Sequence, residues 1–135
     1  MGSKHEMDVR QAADRFYEAL NALFEGELEP MKAAWSHADD VVYMGPDGVV
    51  NVGWKNVWKD WERQAARKFG GRIEPAHVHI IVGEDLAVMH AVETGENANI
   101  EGKARKVAIR ATNTFRKEGG AWKMIGHHTD LLQGV

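Results

Sequence analysis

The sequence predicts an α+β fold: three N-terminal helices that pack on a long, twisted, mostly antiparallel β-sheet. Three observations predict it. Apart from one short hairpin, apolar residues recur at helical spacing up to about Phe69 and in strand-like runs after Ile73. Short turns join the later runs, which makes neighbouring strands antiparallel. Helices come first and long strands last, unlike the alternation of a βαβ sheet.

The first helix is expected from about Asp8 to Glu25. Val9, Ala12, Ala13, Phe16, Leu20, Leu23 and Phe24 give it one apolar face, Asp8 and Gln11 suit a capping box, and Gly26 is the stop. A short second helix follows Pro30. Val41 to Met44 and Val49 to Val52 flank the turn Gly45-Pro46-Asp47-Gly48 and read as two short strands. Gly53 then opens a long helix to about Phe69. Trp54, Val57, Trp58, Trp61 and Ala65 form its apolar stripe, with Lys55, Lys59, Asp60 and Arg63 on the other side. Four strands complete the chain: Ile73 to Val82, Leu86 to Gly95, Lys103 to Arg116 and Ala121 to Thr129. The polar residues Met1 to Met7 are expected to be a disordered or vector-derived leader, with one domain over residues 8–135.

Composition removes several chemistries. A chain of 135 residues buries roughly two thirds of its unfolded surface, so it folds without disulfide or metal. It has no cysteine, hence no thiolate metal site and no thiol nucleophile. The net charge of −3 argues against nucleic acid or an anionic membrane as partner. No apolar run approaches the ~18 residues of a membrane span, and a cytoplasmic location is expected. Ser3 and Ser36 are the only serines and neither sits in a nucleophile elbow. No glycine-rich phosphate loop is present, and no cofactor is implied.

The segment Trp35-Ser36-His37-Ala38-Asp39-Asp40-Val41-Val42-Tyr43-Met44-Gly45-Pro46, the tryptophan helix after Gly53, and Trp122-Lys123-Met124-Ile125-Gly126-His127-His128-Thr129 resemble the SnoaL-like, nuclear transport factor 2-like superfamily. The resemblance covers about Asp8 to Leu131. It implies a cone-shaped barrel with a strongly curved sheet and a homodimer packed through the sheet face; a sheet curled around a helix that covers it only partly leaves a pocket for a small molecule. The resemblance does not imply one function, because the superfamily includes isomerases, dehydratases, hydrolases, cyclases and oligomerisation modules. Steroid isomerases of this fold place a carboxylate base where this chain has Gly45, a carboxyl donor near Ala111 and a tyrosine at Phe16, one position from Tyr17. All three roles are missing, so steroid isomerase chemistry is not expected.

The remaining candidates follow from strand parity and the same resemblance. Only one of the adjacent His127 and His128 can face the pocket, and the resemblance to the oligomerisation modules implies the face of His127 and Thr129. His127 is the expected acid or base, with Asn113 or Tyr43 as hydrogen-bond donor to an oxyanion. Trp35, Trp54, Trp58 and Phe115 are expected walls. On the strand before Asn113, either His90 or Glu93 points inward, and His90 is carried as a ligand contact with Thr129. His77, His79 and His90 could form a three-histidine site, but the spacing has no further support and no metal is assigned. The expected function is a small-molecule binder, or a lyase or isomerase acting on a small or polyketide-like compound. The alternative is a non-catalytic dimerisation module.

Overall fold

A computed structural model describes residues 4–98 and 101–131. Helix α1 (Lys4–Phe24) buries Val9, Phe16, Tyr17, Leu20 and Leu23. It starts ahead of the expected Asp8 because its first turns have partners. Lys4 lies 3.9 Å from Asp8 and Arg10 3.5 Å from Glu6, and the His5 ring meets Trp122 edge-on. Lys4 to Met7 are therefore ordered as the first turns of this helix. Residues 1–3 of that leader and 132–135 of the expected domain lie outside the described residues. Gly26, at φ 95°, ends the helix, its N–H donating to Leu23 O.

Helix α2 spans Glu29–Ala34. Strands β1 (Val42–Met44) and β2 (Val50–Val52) form the expected hairpin. Helix α3 (Trp54–Arg67) stops at Lys68, whose left-handed conformation ends it ahead of Phe69. Its buried residues are Val57, Asp60, Trp61 and Ala65, while Trp54 and Trp58 are half-buried. The periodicity puts Asp60 on the solvent side, yet it is 2 % exposed. Three donors make that burial tolerable: Asn51, Arg63 and Gln64 reach its carboxylate at 2.5, 2.8 and 3.2 Å.

Strands β3 (Arg72–Val82), β4 (Leu86–Ala98), β5 (Ala104–Glu118) and β6 (Ala121–Thr129) form an antiparallel meander, and β1 joins β6 in parallel. The order is β2-β1-β6-β5-β4-β3, an open sheet with β2 and β3 as edges. Helix α1 touches both β6 and β3, although β5 and β4 lie between them. The sheet therefore curls around the helix. Asn21 fixes the far contact: its Nδ2 donates to Ile73 O at 3.0 Å and its Oδ1 accepts the Ile73 N–H at 2.7 Å.

One irregularity in β6 sets the inner face. The register passes from Thr114 opposite Gly126 to Phe115 opposite Met124, leaving Ile125 as the extra residue of a bulge. Strict alternation puts Trp122 and Met124 on the face opposite His127 and Thr129. The bulge reverses the alternation, and all four are buried while His128 is exposed. Glycine at 126 permits it, because a Cβ there would run into Thr114 Oγ1. Among the described residues, no helix is long and apolar enough to cross a membrane.

Candidate functional site

The register aligns Tyr43 of β1, His127 of β6, Asn113 of β5 and Met89 of β4 in one row across the inner face. All four are buried. Further along β4, past Ala91, comes Glu93, which is 4 % exposed. Ala91 and its cross-strand partner Ala111 are small. They leave room for the Glu93 side chain to turn back toward His127.

Four side chains then close a ring. His127 Nδ1 lies 2.5 Å from Asn113 Oδ1. Asn113 Nδ2 donates to the Tyr17 hydroxyl at 2.9 Å, and that hydroxyl donates to Glu93 Oε2 at 3.0 Å. Glu93 Oε2 lies 3.4 Å from His127 Nε2, which completes the circuit. An amide oxygen only accepts, so Nδ1 carries the imidazole proton and Nε2 is bare. A bare nitrogen and a carboxylate oxygen facing each other in a buried site would repel. One proton between them removes the repulsion.

Burial acts on both groups in the direction that keeps the pair short of charge. It pushes the Glu93 carboxyl up to about 7, against the opposing effect of the Tyr17 hydrogen bond. It holds the His127 imidazole well below its usual value, helped by the nearby His128. Below about pH 7 the pair therefore holds one proton and little net charge.

Glu93 and His127 open on an inner cavity. Its enclosed part has a volume of about 60 Å³, room for several waters or a small ligand. The walls are mostly apolar, formed by Leu20, Phe24, Phe69, Ile73, Val107 and Ile109, with Asn97 and Arg105 also in the lining. The polar lining near the pair adds Tyr43 and Gln64, beside the Trp61 ring. Tyr43 stacks on Trp61 at 4.2 Å and 13° and accepts from Gln64 Nε2 at 2.8 Å. Its own hydroxyl proton is left to turn toward the cavity. Burial keeps that hydroxyl neutral by raising its pKa well above the usual value.

The SnoaL-like domain family matches residues 9–130. The chain belongs to that family. Solved structures agree on the fold. A candidate dehydratase of the nuclear transport factor 2-like family from Streptomyces avermitilis superposes with a TM-score of 0.81 at 23% identity, covering 94% of this chain and 95% of that one. A candidate calcium/calmodulin-dependent protein kinase type II association domain from Thiobacillus denitrificans gives 0.76 at 30% identity, covering 92% and 94%. A candidate aromatic ring hydroxylase from Novosphingobium aromaticivorans gives 0.79 at 16% identity, covering 98% and 92%. No curated protein matches the chain significantly.

In this SnoaL-like protein the expected site residues divide. His127 and Tyr43 line the cavity. Asn113 lies behind them with both ends of its amide engaged, so it is not available as an oxyanion donor. Trp35 is buried against Tyr43, Trp54 and Trp61, and backs the wall instead of forming it. Trp54 turns outward to stack on His37 at 4.3 Å, with Trp58 beside it. Phe115 is fully buried core, and Thr129 is buried on the inner face outside the cavity lining.

His90 is corrected outright: it is exposed on the outer face, and Glu93 takes the inward position. Parity misleads there because the outward set Leu86, Val88 and Val92 is as apolar as the inward set Ala87, Met89 and Ala91. His79 sits opposite His90 on that outer face and His77 lies in a β3 bulge. Among the described residues, no group of three such side chains is placed to hold a metal ion. Trp61 and Gln64 carried no site assignment from sequence, although Trp61 belongs to the helix stripe. The absence of a base at Gly45 has a physical reason: a Cβ there would lie 2.6 Å from the Tyr43 hydroxyl oxygen, which occupies that space.

Proposed function

We propose that this protein binds a small, mostly apolar carbonyl compound in the inner cavity and moves a proton on it, as a lyase or isomerase. The observation that carries the reading is the Glu93–His127 pair, 3.4 Å apart and buried at an apolar cavity. Tyr43 donates its hydroxyl proton to the ligand's carbonyl oxygen. His127 Nε2 takes a proton from the adjacent carbon while protonated Glu93 gives its proton to a departing hydroxyl, which leaves as water. A carbon–carbon double bond forms. Glu93 becomes an anion beside the new imidazolium, and that charge pair is what makes a buried imidazole basic enough to act. Transfer of the proton from Nε2 to Oε2 resets the pair. In an isomerisation the same proton returns to a different carbon. Acid and base sit side by side, so both act on one face of the ligand.

The similarity to a candidate dehydratase is consistent with this reading but adds only the fold. The test is solvent deuterium incorporation, followed by NMR, into a panel of small hydroxy ketones and enones. Exchange next to the carbonyl that is lost in Glu93→Gln supports the reading. A panel with neither exchange nor thermal stabilisation sinks it.

A second proposal concerns assembly. Ile81 and Leu86 are 66 % and 56 % exposed on the outer face of the sheet, which also carries Val88 and Val92. A second copy packed there would cover them, as a homodimer. Light scattering that gives a monomer at tens of micromolar removes this proposal.

A further inference from the structure

The proposed chemistry uses Glu93 and His127; Tyr17 and Asn113 are buried, hydrogen-bonded and outside the cavity lining. Their arrangement has a direction. The Glu93 carboxyl turns the proton it holds toward His127 Nε2, so its oxygen accepts from Tyr17, whose hydroxyl gives its one proton to Glu93 Oε2. The Tyr17 oxygen is then an acceptor, and it takes an N–H from Asn113. With its NH₂ turned to Tyr17, Asn113 presents its carbonyl oxygen to His127. The second amide hydrogen has only Met89 Sδ, at 3.9 Å, so no competing partner favours the reversed amide. Each bond fixes the next, and the order starts at Glu93 and ends on the far nitrogen of the imidazole.

We propose that Tyr17 and Asn113 are positioning residues that transmit the acceptor character of Glu93 around the ring and lock His127 in its Nδ1–H tautomer, so that the bare Nε2 faces Glu93 and the ligand. This rests on the reading of Glu93 and His127 as the proton-moving pair. The role is indirect, since neither Tyr17 nor Asn113 touches the cavity. Without the lock, the amide could turn over and the imidazole could carry its proton on Nε2, where it would donate to Glu93 and have no lone pair left for a substrate proton.

The test is ¹⁵N NMR of the histidine rings at about pH 5.5 without ligand, where Glu93 is protonated and His127 neutral, with His127 assigned by its loss in His127→Gln. Wild type is expected to give one neutral species with a protonated Nδ1 and a bare Nε2. In Tyr17→Phe the Asn113 amide loses its acceptor, and a second species with Nε2 protonated is expected. Asn113→Asp keeps an acceptor at Nδ1 and should restore the single Nδ1–H form, now able to take a second proton at higher pH than wild type. Asn113→Leu should lose the lock. Tyr17→Phe keeps the ring and its packing, so it serves if the substitutions at 113 do not fold. An Nε2–H tautomer in wild type overturns the proposal, and so does an unchanged pure Nδ1–H form in a folded Tyr17→Phe. Neither result depends on ligand binding or turnover, so a failed panel of carbonyl compounds leaves this test standing.

Discussion

Glu93 Oε2 and His127 Nε2 face each other across 3.4 Å, and both residues are buried. The two groups come from strands that are not neighbours, β4 and β6, and meet across β5. Their separation is set by the small side chains of Ala91 and Ala111 and by the β6 bulge that turns His127 inward. The behaviour of the pair with pH follows from this relationship.

Glu93→Gln is uncharged at every pH. Tyr17 and His127 both meet the one oxygen Oε2, so the amide keeps only one of these two contacts. In the wild type, the folded protein holds the Glu93 proton up to about pH 7, against an ordinary value of 4.5. The stability that Glu93 contributes is present below about 4.5 and is lost as pH rises to about 7. His127 is depressed, so its contribution is present above its usual 6.5 and is lost as pH falls below it. Wild type should be most stable between about pH 5 and 6.5. Glu93→Gln should lack the alkaline decline, so its stability relative to wild type should rise by about 1–3 kcal/mol between pH 5 and pH 8. Urea unfolding at pH 5, 6.5 and 8 measures it.

His127→Ala removes the imidazole from between Tyr43 and Phe16, at ring separations of 5.7 and 4.8 Å. It leaves a void and an unpaired Asn113 carbonyl. A stability loss of about 2–4 kcal/mol is expected, along with a fall in deuterium exchange of at least ~10²-fold. A thermal-shift series with small carbonyl compounds should give smaller shifts than for wild type. Equal shifts would remove His127 from the ligand site.

Tyr43→Phe keeps the stack on Trp61 and leaves Gln64 bonded to Asp60. Its stability should stay within about 1 kcal/mol of wild type. Affinity for a carbonyl ligand should fall about tenfold, as expected for one lost hydrogen bond of ~1.4 kcal/mol. Calorimetry on a ligand found in the screen would decide it. An unchanged affinity would mean that the hydroxyl does not point at the ligand.

Gly45→Ala adds a Cβ 2.6 Å from the Tyr43 hydroxyl oxygen. Gln64 and the Trp61 stack hold that ring, so the shift is costly. About 1–3 kcal/mol of destabilisation is expected, with loss of ligand binding. Wild-type unfolding and binding by this variant would show that the hydroxyl moves freely.

The element order and the helix faces are legible in the sequence because period and turn chemistry are strong there; the inward His127 comes from the family resemblance, since the β6 bulge breaks strict alternation. Asp60 is not, because three donors from separate positions make an inward carboxylate acceptable, and they come together only in three dimensions. Glu93 is hidden by a β4 strand whose two faces are equally apolar. Asn113 is legible as a pocket-side residue, yet its role depends on Tyr17 at the other end of the chain. The aromatic residues marked as walls fail for a geometric reason. Trp54 and Trp58 sit toward the solvent edge of the α3 stripe, and Trp61, one turn deeper, is the indole that meets the cavity.

The most direct test of the account is the infrared spectrum of the Glu93 carboxyl, isolated as the difference between wild type and Glu93→Gln across pH 4 to 9. The account predicts a protonated carboxyl band that persists through pH 6 and disappears with a midpoint near 7. A carboxyl already ionised at pH 5 would contradict it, because the pair would then hold no shared proton to move.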